Sequence, residues 1–338
     1  MLATGLLAAC NESLETEPVD LPVQFVVPVS SQQLTPRRIA GDPGFAESLE
    51  LPHYAYVFIV FKAKSGREEI RSIVGTDLYD GGKTDTEVWE KVDTAYTGGD
   101  IVYRCKVTFK RLTPVLGTLD YCRVYAAMSK QPLTLSNTDP SSEDAVKNIT
   151  FTVTDELQED IHNVYSTPYN YKVGDKYYGD INVWSNAPRA NLMLYHVAAK
   201  IDLKWNVPED KRSLLRVTGM STRNLFKGES FLFRPTGNVH EEFTAADGYT
   251  PAAPLLGDVA GTWWAGRTYF YTIPYKTSEG KFPLHVDVNL KNVSEGNTYT
   301  DDLKLTITNP EVFVPWVRGQ LSFTTALTAD KSETIYVD

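Results

Sequence analysis

Apolar residues recur at every second position through much of this chain. Leu21, Val23, Phe25, Val27 and Val29 alternate with Pro22, Gln24, Val26 and Pro28, the period of a half-buried β-strand. Proline cannot donate a ladder hydrogen bond, so Pro22 and Pro28 place this strand at a sheet edge. Tyr54 to Lys62 is a nearly continuous apolar run, the pattern of a central sandwich strand. After Gly98-Gly99-Asp100, Ile101, Tyr103, Cys105, Val107 and Phe109 alternate cleanly, and Leu116-Gly117-Thr118 turns the chain towards a strand over Tyr121–Met128. Asn148–Thr154 reads as a short strand, and Asp155 to Tyr165 has room for one or two helical turns.

Residues 165–189 are rich in Tyr, Asn, Gly and Pro without a sustained period, which puts a domain boundary near Ala187-Pro188-Arg189. Beyond it Leu192, Leu194 and His196 share one face. The phase then changes at Ala198-Ala199 before Ile201, Leu203 and Trp205, as at a β-bulge. Further strands are predicted over Ser213–Met220, Arg267–Pro274, Phe282–Leu290, Asp302–Thr308, Val312–Phe323 and Thr334–Val337. Strands separated by turn clusters, twice over, predict an all-β chain of two tandem sandwiches, residues 45–188 and 189–338. They are preceded by a leader over residues 1–10 and a leading strand with its connection over 11–44.

A length of 338 residues suits two domains of ordinary size. The net charge of -10, with no basic stripe to neutralise phosphates, argues against a nucleic-acid partner. No run approaches the roughly 20 apolar residues that span a bilayer, so membrane attachment must come from elsewhere. Leu7-Ala8-Ala9-Cys10 supplies a candidate. An aliphatic residue and two small ones before a cysteine match the site at which a bacterial lipoprotein peptidase cuts, leaving Cys10 to carry lipid. The competing reading is an ordinary apolar start with a chance cysteine. No basic residue precedes Cys10, so either the start lies upstream or the signal is degenerate. Cys105 and Cys122 remain. They fall on consecutive predicted strands and are either a disulfide in an exported protein or two separate buried thiols.

Catalytic chemistry finds little support. His53, His162, His196, His240 and His285 are scattered, none at a zinc-site spacing, and neither a nucleophile motif nor a phosphate or dinucleotide loop is present. The chain is therefore read as a non-enzyme without metal or cofactor. Asp85 and Glu87 read as a solvated turn. Trp263 and Trp264, in a Gly-rich loop near Tyr269 and Tyr271, suit stacking on pyranose rings. This supports the alternative of a monomeric surface lipoprotein that binds glycans. The same aromatics equally suit core and loop anchors.

Taken together, the lipobox, the edge-type strand, the arginine-containing loop and the tandem sandwiches resemble the fimbrillins, lipoprotein pilins of Gram-negative gut and oral anaerobes. Leu194-Tyr-His-Val-Ala-Ala-Lys-Ile-Asp-Leu203 is similar to the family's second-domain strand, where small residues precede a basic residue and an alternating tail. Thr268-Tyr-Phe-Tyr-Thr-Ile-Pro274 and Phe282-Pro-Leu-His-Val-Asp-Val-Asn-Leu290 are similar to its aromatic strand and the long strand that follows. The resemblance covers nearly the whole chain and implies Greek-key, transthyretin-like sandwiches. It further implies a precursor anchored to the outer membrane, then trimmed by an arginine-specific protease and polymerised with other fimbrial subunits by strand exchange. The product is a surface fimbrium that supports adhesion to a host or bacterial surface ligand. On that pattern Leu21, Val23, Phe25, Val27 and Val29 form the removable strand, and Arg37-Arg38, in a Pro- and Gly-flanked loop, is the processing site. Val312–Phe323 and Thr334–Val337 are either a donated segment or the last core strands. The long loops around residues 165–189 and 228–266 suit a tip or minor subunit better than a stalk.

Overall fold

The computed structural model describes residues 19–29, 51–92, 101–112, 119–167, 172–173, 175–177, 179–182, 189–206, 209, 215–223, 228–233, 260–262, 265–273, 282–292, 298–307, 320–326 and 334–335. They are mostly strands. The first part of the chain contributes β1 (Val19–Val29), β2 (Tyr54–Ala63), β3 (Glu68–Asp77), β4 (Glu90–Val92), β5 (Ile101–Leu112), β6 (Leu119–Ser129), β7 (Thr150–Val153), β8 (Val164–Ser166), β9 (Lys172–Val173), β10 (Lys176–Tyr177), β11 (Ala190–Met193) and β12 (Tyr195–His196). Three short helices interrupt them: α1 (Asp85–Val88), α2 (Glu143–Lys147) and α3 (Asp155–Glu159). A 3-10 turn at Ile161–Asn163 extends the last of these, as the space before Tyr165 suggested.

Two sheets organise this part, one ordered β11-β1-β5-β4 and the other β12-β8-β6-β2-β3. They share one core. Leu21, Val23 and Phe25 of β1, Cys105, Val107 and Phe109 of β5, and Ala190 and Leu192 of β11 meet Ala55, Val57, Ile59 and Phe61 of β2 and Cys122, Val124, Ala126 and Met128 of β6. The continuous apolar run of β2 has a reason beyond that core. Its alternate residues Tyr56, Phe58 and Val60 are buried too, because a second layer covers the outer face of the sheet. Phe233, from much later in the chain, packs there against Phe58 and Tyr125, and Val146, Ile149, Phe151, Leu157, Ile161 and Leu232 are buried as well.

The remaining strands are β13 (Ala199–Asn206), β14 (Leu215–Arg223), β15 (Gly228–Phe231), β16 (Ala260–Thr262), β17 (Ala265–Thr272), β18 (Phe282–Asn292), β19 (Thr298–Ile307), β20 (Gln320–Ala326) and β21 (Thr334–Ile335). They form two further sheets, β16-β17-β13-β20 and β14-β18-β19-β21, while β15 leaves them to pair with β7. The parts predicted as donated segments, where described, lie in these sheets: β20 runs parallel to β13, and β21 parallel to β19.

Two expectations change. Ala190–His196 lies beyond the predicted boundary, yet β11 pairs with β1 and β12 with β8, so it belongs to the first pair of sheets. The phase change at Ala198-Ala199 is accordingly no bulge. Val197 and Ala198 are buried where the chain leaves one set of sheets for another. No helix among the described residues is long and apolar enough to cross a membrane.

Candidate strand-accepting groove

β1 lies inside its sheet, not at the edge that its prolines suggested. Along one side it pairs antiparallel with β5 over its whole length, with Leu21 opposite Phe109, Val23 opposite Val107, Phe25 opposite Cys105, Val27 opposite Tyr103 and Val29 opposite Ile101. Along the other it pairs parallel with β11, over Val23 to Val26 only. The carbonyl of Val26 accepts from the Leu194 amide at 2.9 Å, on the β11 side. The N–H and C=O of one strand residue point the same way, and alternate residues share a side, so Pro22 and Pro28 also aim at β11. They flank the four residues that β11 covers. The odd-numbered residues, each with an N–H, face β5. The prolines thus limit the length of the second wall and do not bar β1 from the interior.

Leu21, Val23 and Phe25 are fully buried, while Pro22, Gln24 and Val26 on the other face are partly covered. Fully burying a side chain of this kind contributes about 1.5–3 kcal/mol, hence roughly 5–9 kcal/mol for the three, an upper figure because unfolded chains are not fully extended. Taking β1 away would strip that burial and expose two rows of backbone groups, on β5 and on β11.

Cys105 and Cys122 are both free and buried. They sit on β5 and β6, in the two different sheets, opposite Phe25 and Phe61 respectively. Both being free, they agree with the reading as two buried thiols and not with the disulfide. Burial pushes the Cys105 thiol up to about 11 and that of Cys122 higher still. Asp85 and Glu87 form no acid–base pair. Glu87 closes a capping box on α1, accepting from the Thr84 amide at 2.8 Å and from the Thr84 hydroxyl at 2.8 Å. Those bonds hold its carboxyl below the usual range. Among the described residues no group of three or more His, Cys, Asp or Glu is placed to hold a metal. Cys10, Arg37, Arg38, Trp263 and Trp264 lie outside the described residues, and Val27 and Val29 are described as strand backbone.

No family model matches the chain, and no curated protein matches it. Solved structures do align along most of its length. A candidate cell adhesion protein from Bacteroides eggerthii is 10% identical, covering 96% of this chain and 99% of its own at a TM-score of 0.47. A candidate cell adhesion protein from Bacteroides ovatus is 12% identical, with 94% and 96% covered at a TM-score of 0.40. The fimbrial anchor protein Mfa2 from Porphyromonas gingivalis is 9% identical, with 94% and 95% covered at a TM-score of 0.32. Two of these neighbours are named for cell adhesion and one as a fimbrial anchor.

A second constellation escaped the sequence reading altogether. On the outer face of β6, Arg123 is buried, its Nε donating to Asp180 Oδ1 at 2.6 Å and its Nη1 to Glu143 Oε1 at 2.8 Å. Its guanidinium carbon lies 4.4 Å from the Tyr121 ring centre and 4.3 Å from that of Tyr177. Glu143, also buried, accepts from the hydroxyls of Tyr125, at 2.5 Å, and Tyr121, and has Lys147 Nζ at 3.6 Å. Its amide donates to Glu68 Oε2 at 2.7 Å, and Glu68 pairs with Lys62. Burial alone would raise the Glu143 carboxyl, but the two hydroxyls, Lys147 and Arg123 together hold it below its usual range. The same competition, won by Lys62 and the Glu143 amide, lowers Glu68. Removing one partner of such a buried pair typically costs about 3–5 kcal/mol, because the other charge is left unpaired. The sequence offered only the alternation Tyr121, Arg123, Tyr125 as a hint. Its partners are scattered from Lys62 to Asp180.

Proposed function

We propose that this chain is a structural subunit of a surface fimbrium that assembles by strand exchange after its leading strand is removed. The observation that carries the reading is β1 itself. The first described strand fills a slot between β5 and β11, buries Leu21, Val23 and Phe25, and is joined to β2 through the stretch that contains Arg37-Arg38. Cleavage within that stretch would separate β1 from the strands that follow it. The vacated slot would hold unpaired backbone donors and acceptors beside apolar pockets, which an extended segment from a neighbouring subunit satisfies together.

In this reading Cys10 carries the lipid that holds the precursor at the outer membrane, and cleavage at Arg37 or Arg38 by an arginine-specific protease releases residues up to that point. The body is then two tandem Greek-key, transthyretin-like sandwiches with a groove open for the next subunit. Adhesion, without catalysis, is the role the family resemblance implies.

The test is trimming followed by assembly. Lipid-free protein treated with an arginine-specific protease should lose residues up to Arg37 or Arg38 by intact mass. It should then form concentration-dependent ladders that resist mild denaturant. A trimmed chain that stays monomeric, even with partner subunits present, would falsify the proposal.

A further inference from the structure

β11 is four residues long, lies at the end of its sheet, and has β1 as its ladder partner in the strand order. Once β1 departs, that ladder is gone. Besides the burial of its own Ala190 and Leu192, what then keeps β11 in place are its attachments before and after, both to the opposite sheet. After it, Tyr195 and His196 of β12 pair with Ser166 and Tyr165 of β8. Before it, residues 179–181 form a strap along β6. β8 pairs with β6 only over Ala127–Ser129, and the strap continues that edge: the Val124 amide donates to the Gly179 carbonyl at 2.9 Å and the Ile181 amide to the Cys122 carbonyl at 2.8 Å, with Arg123 and Asp180 bridged antiparallel between them.

Two ladder bonds hold a short segment weakly, and the strap has more. Asp180 accepts from buried Arg123 through Oδ1 and from the Tyr177 amide through Oδ2, at 3.1 Å. Tyr177, in β10 just before the strap, stacks on the same guanidinium that Glu143 holds from α2. An ideal Cβ on Gly179 would stand 2.3 Å from the Val124 carbonyl oxygen, so strap and strand are in closest backbone approach there. Ile181 packs against the inter-sheet core. From Asn182 the six residues 183–188 lead to Arg189 and β11.

We infer that the Arg123–Asp180–Glu143–Tyr177 cluster is a latch that positions β11, and so keeps the second wall of the groove standing when β1 is absent. It rests on the reading of β1 as a removable strand. Arg123 and Asp180 are positioning residues in this scheme: they touch neither β1 nor its replacement, and act by fixing the strap from which β11 departs. A wall held in place beforehand spares the incoming strand the ordering of β11 at the moment of binding.

Hydrogen exchange on the intact, uncleaved chain tests the latch without any assembly step. Asp180→Asn keeps the shape and removes the charge, Asp180→Ala removes both, and Tyr177→Leu removes the ring beside Arg123. Peptides covering residues 190–198 and 19–29 should exchange at least about tenfold faster in Asp180→Ala. Asp180→Asn and Tyr177→Leu should give smaller increases, and β2 should stay at its wild-type rate. Acceleration confined to residues 175–182 overturns the inference, since the strap would then be local. Uniform acceleration that includes β2 also overturns it, because the cluster would be supplying general stability. Failure of trimmed protein to polymerise would count against the strand-exchange reading and leave this result standing.

Discussion

Gly179 shows how narrowly the strap is fitted. Its φ of +90 is a left-handed conformation that a side chain resists, and a Cβ there would meet the Val124 carbonyl oxygen at 2.3 Å. Gly81 shares the conformation, with φ of +81, but nothing lies within 4 Å of its ideal Cβ. Gly81→Ala should therefore cost about 1–2 kcal/mol from backbone strain alone. Gly179→Ala should cost more, by roughly another 1–3 kcal/mol. Urea unfolding of the two variants side by side measures the difference, and equal losses would mean that the strap does not sit tightly on β6. The buried carboxylates give a pH dependence. Glu143 and Glu68 are both held below their ordinary range. Their contribution is thus complete above about pH 4.3, the unfolded value, and is lost as pH falls through the lowered folded values. Glu143→Gln should flatten the fall in thermal stability between about pH 5 and 3 relative to the parent chain. None of this was legible beforehand. An arginine between two tyrosines on a strand reads as an exposed polar face until residues as distant as Glu143 and Asp180 are brought over it.

At the scale of elements the sequence was more informative, because a strand's pattern is local while its neighbours are not. The alternation of Leu21, Val23 and Phe25 identified β1 and its buried face, and the uninterrupted run in β2 identified a central strand, which the structure shows buried on both faces. The place of β1 in the sheet was misjudged. Pro22 and Pro28 do forgo ladder bonds, but only towards β11, whose four residues fit between them. Nothing in either proline says how long the neighbouring strand will be. Because Phe25 is fully buried, Phe25→Ala should destabilise the first pair of sheets by about 3–5 kcal/mol, read as a lower urea midpoint. The two thiols separate loss of β1 from general unfolding. Cys105 lies opposite Phe25 and Cys122 opposite Phe61. Trimmed chain should therefore react quickly with a maleimide at Cys105 while Cys122 stays protected, whereas unfolded chain labels at both.

The whole molecule does not divide where its composition suggested. β15 comes from the later part of the chain yet pairs with β7, Gly228 opposite Val153 through Phe231 opposite Thr150. Glu229 accepts from the Thr150 and Thr152 hydroxyls, each at 2.7 Å. Beyond it Phe233 meets Phe58 edge-on, ring centres 6.0 Å apart, and Tyr125 at 5.5 Å. A linker rich in Tyr, Asn and Gly looked like a boundary because it lacks a period, and period says nothing about which layer a later arm will complete. A fragment ending at Ala198 should consequently leave Phe58 and Tyr125 uncovered, bind a hydrophobic dye and give poorly dispersed NMR spectra. The intact chain carrying Phe233→Ala should show the same trend more weakly. The parallel pairing of β1 with β11 has a consequence for biogenesis. β1 is made before every other described strand, but residues 30–189 separate it from β11, the second strand that flanks it. Contacts so distant in sequence form slowly. During synthesis β5 can pair with β1 once Leu112 has been made, but the β11 side of β1 stays open until Met193 has followed. A strand made early is thus flanked late on one side, and a holding chaperone would find its natural binding site there.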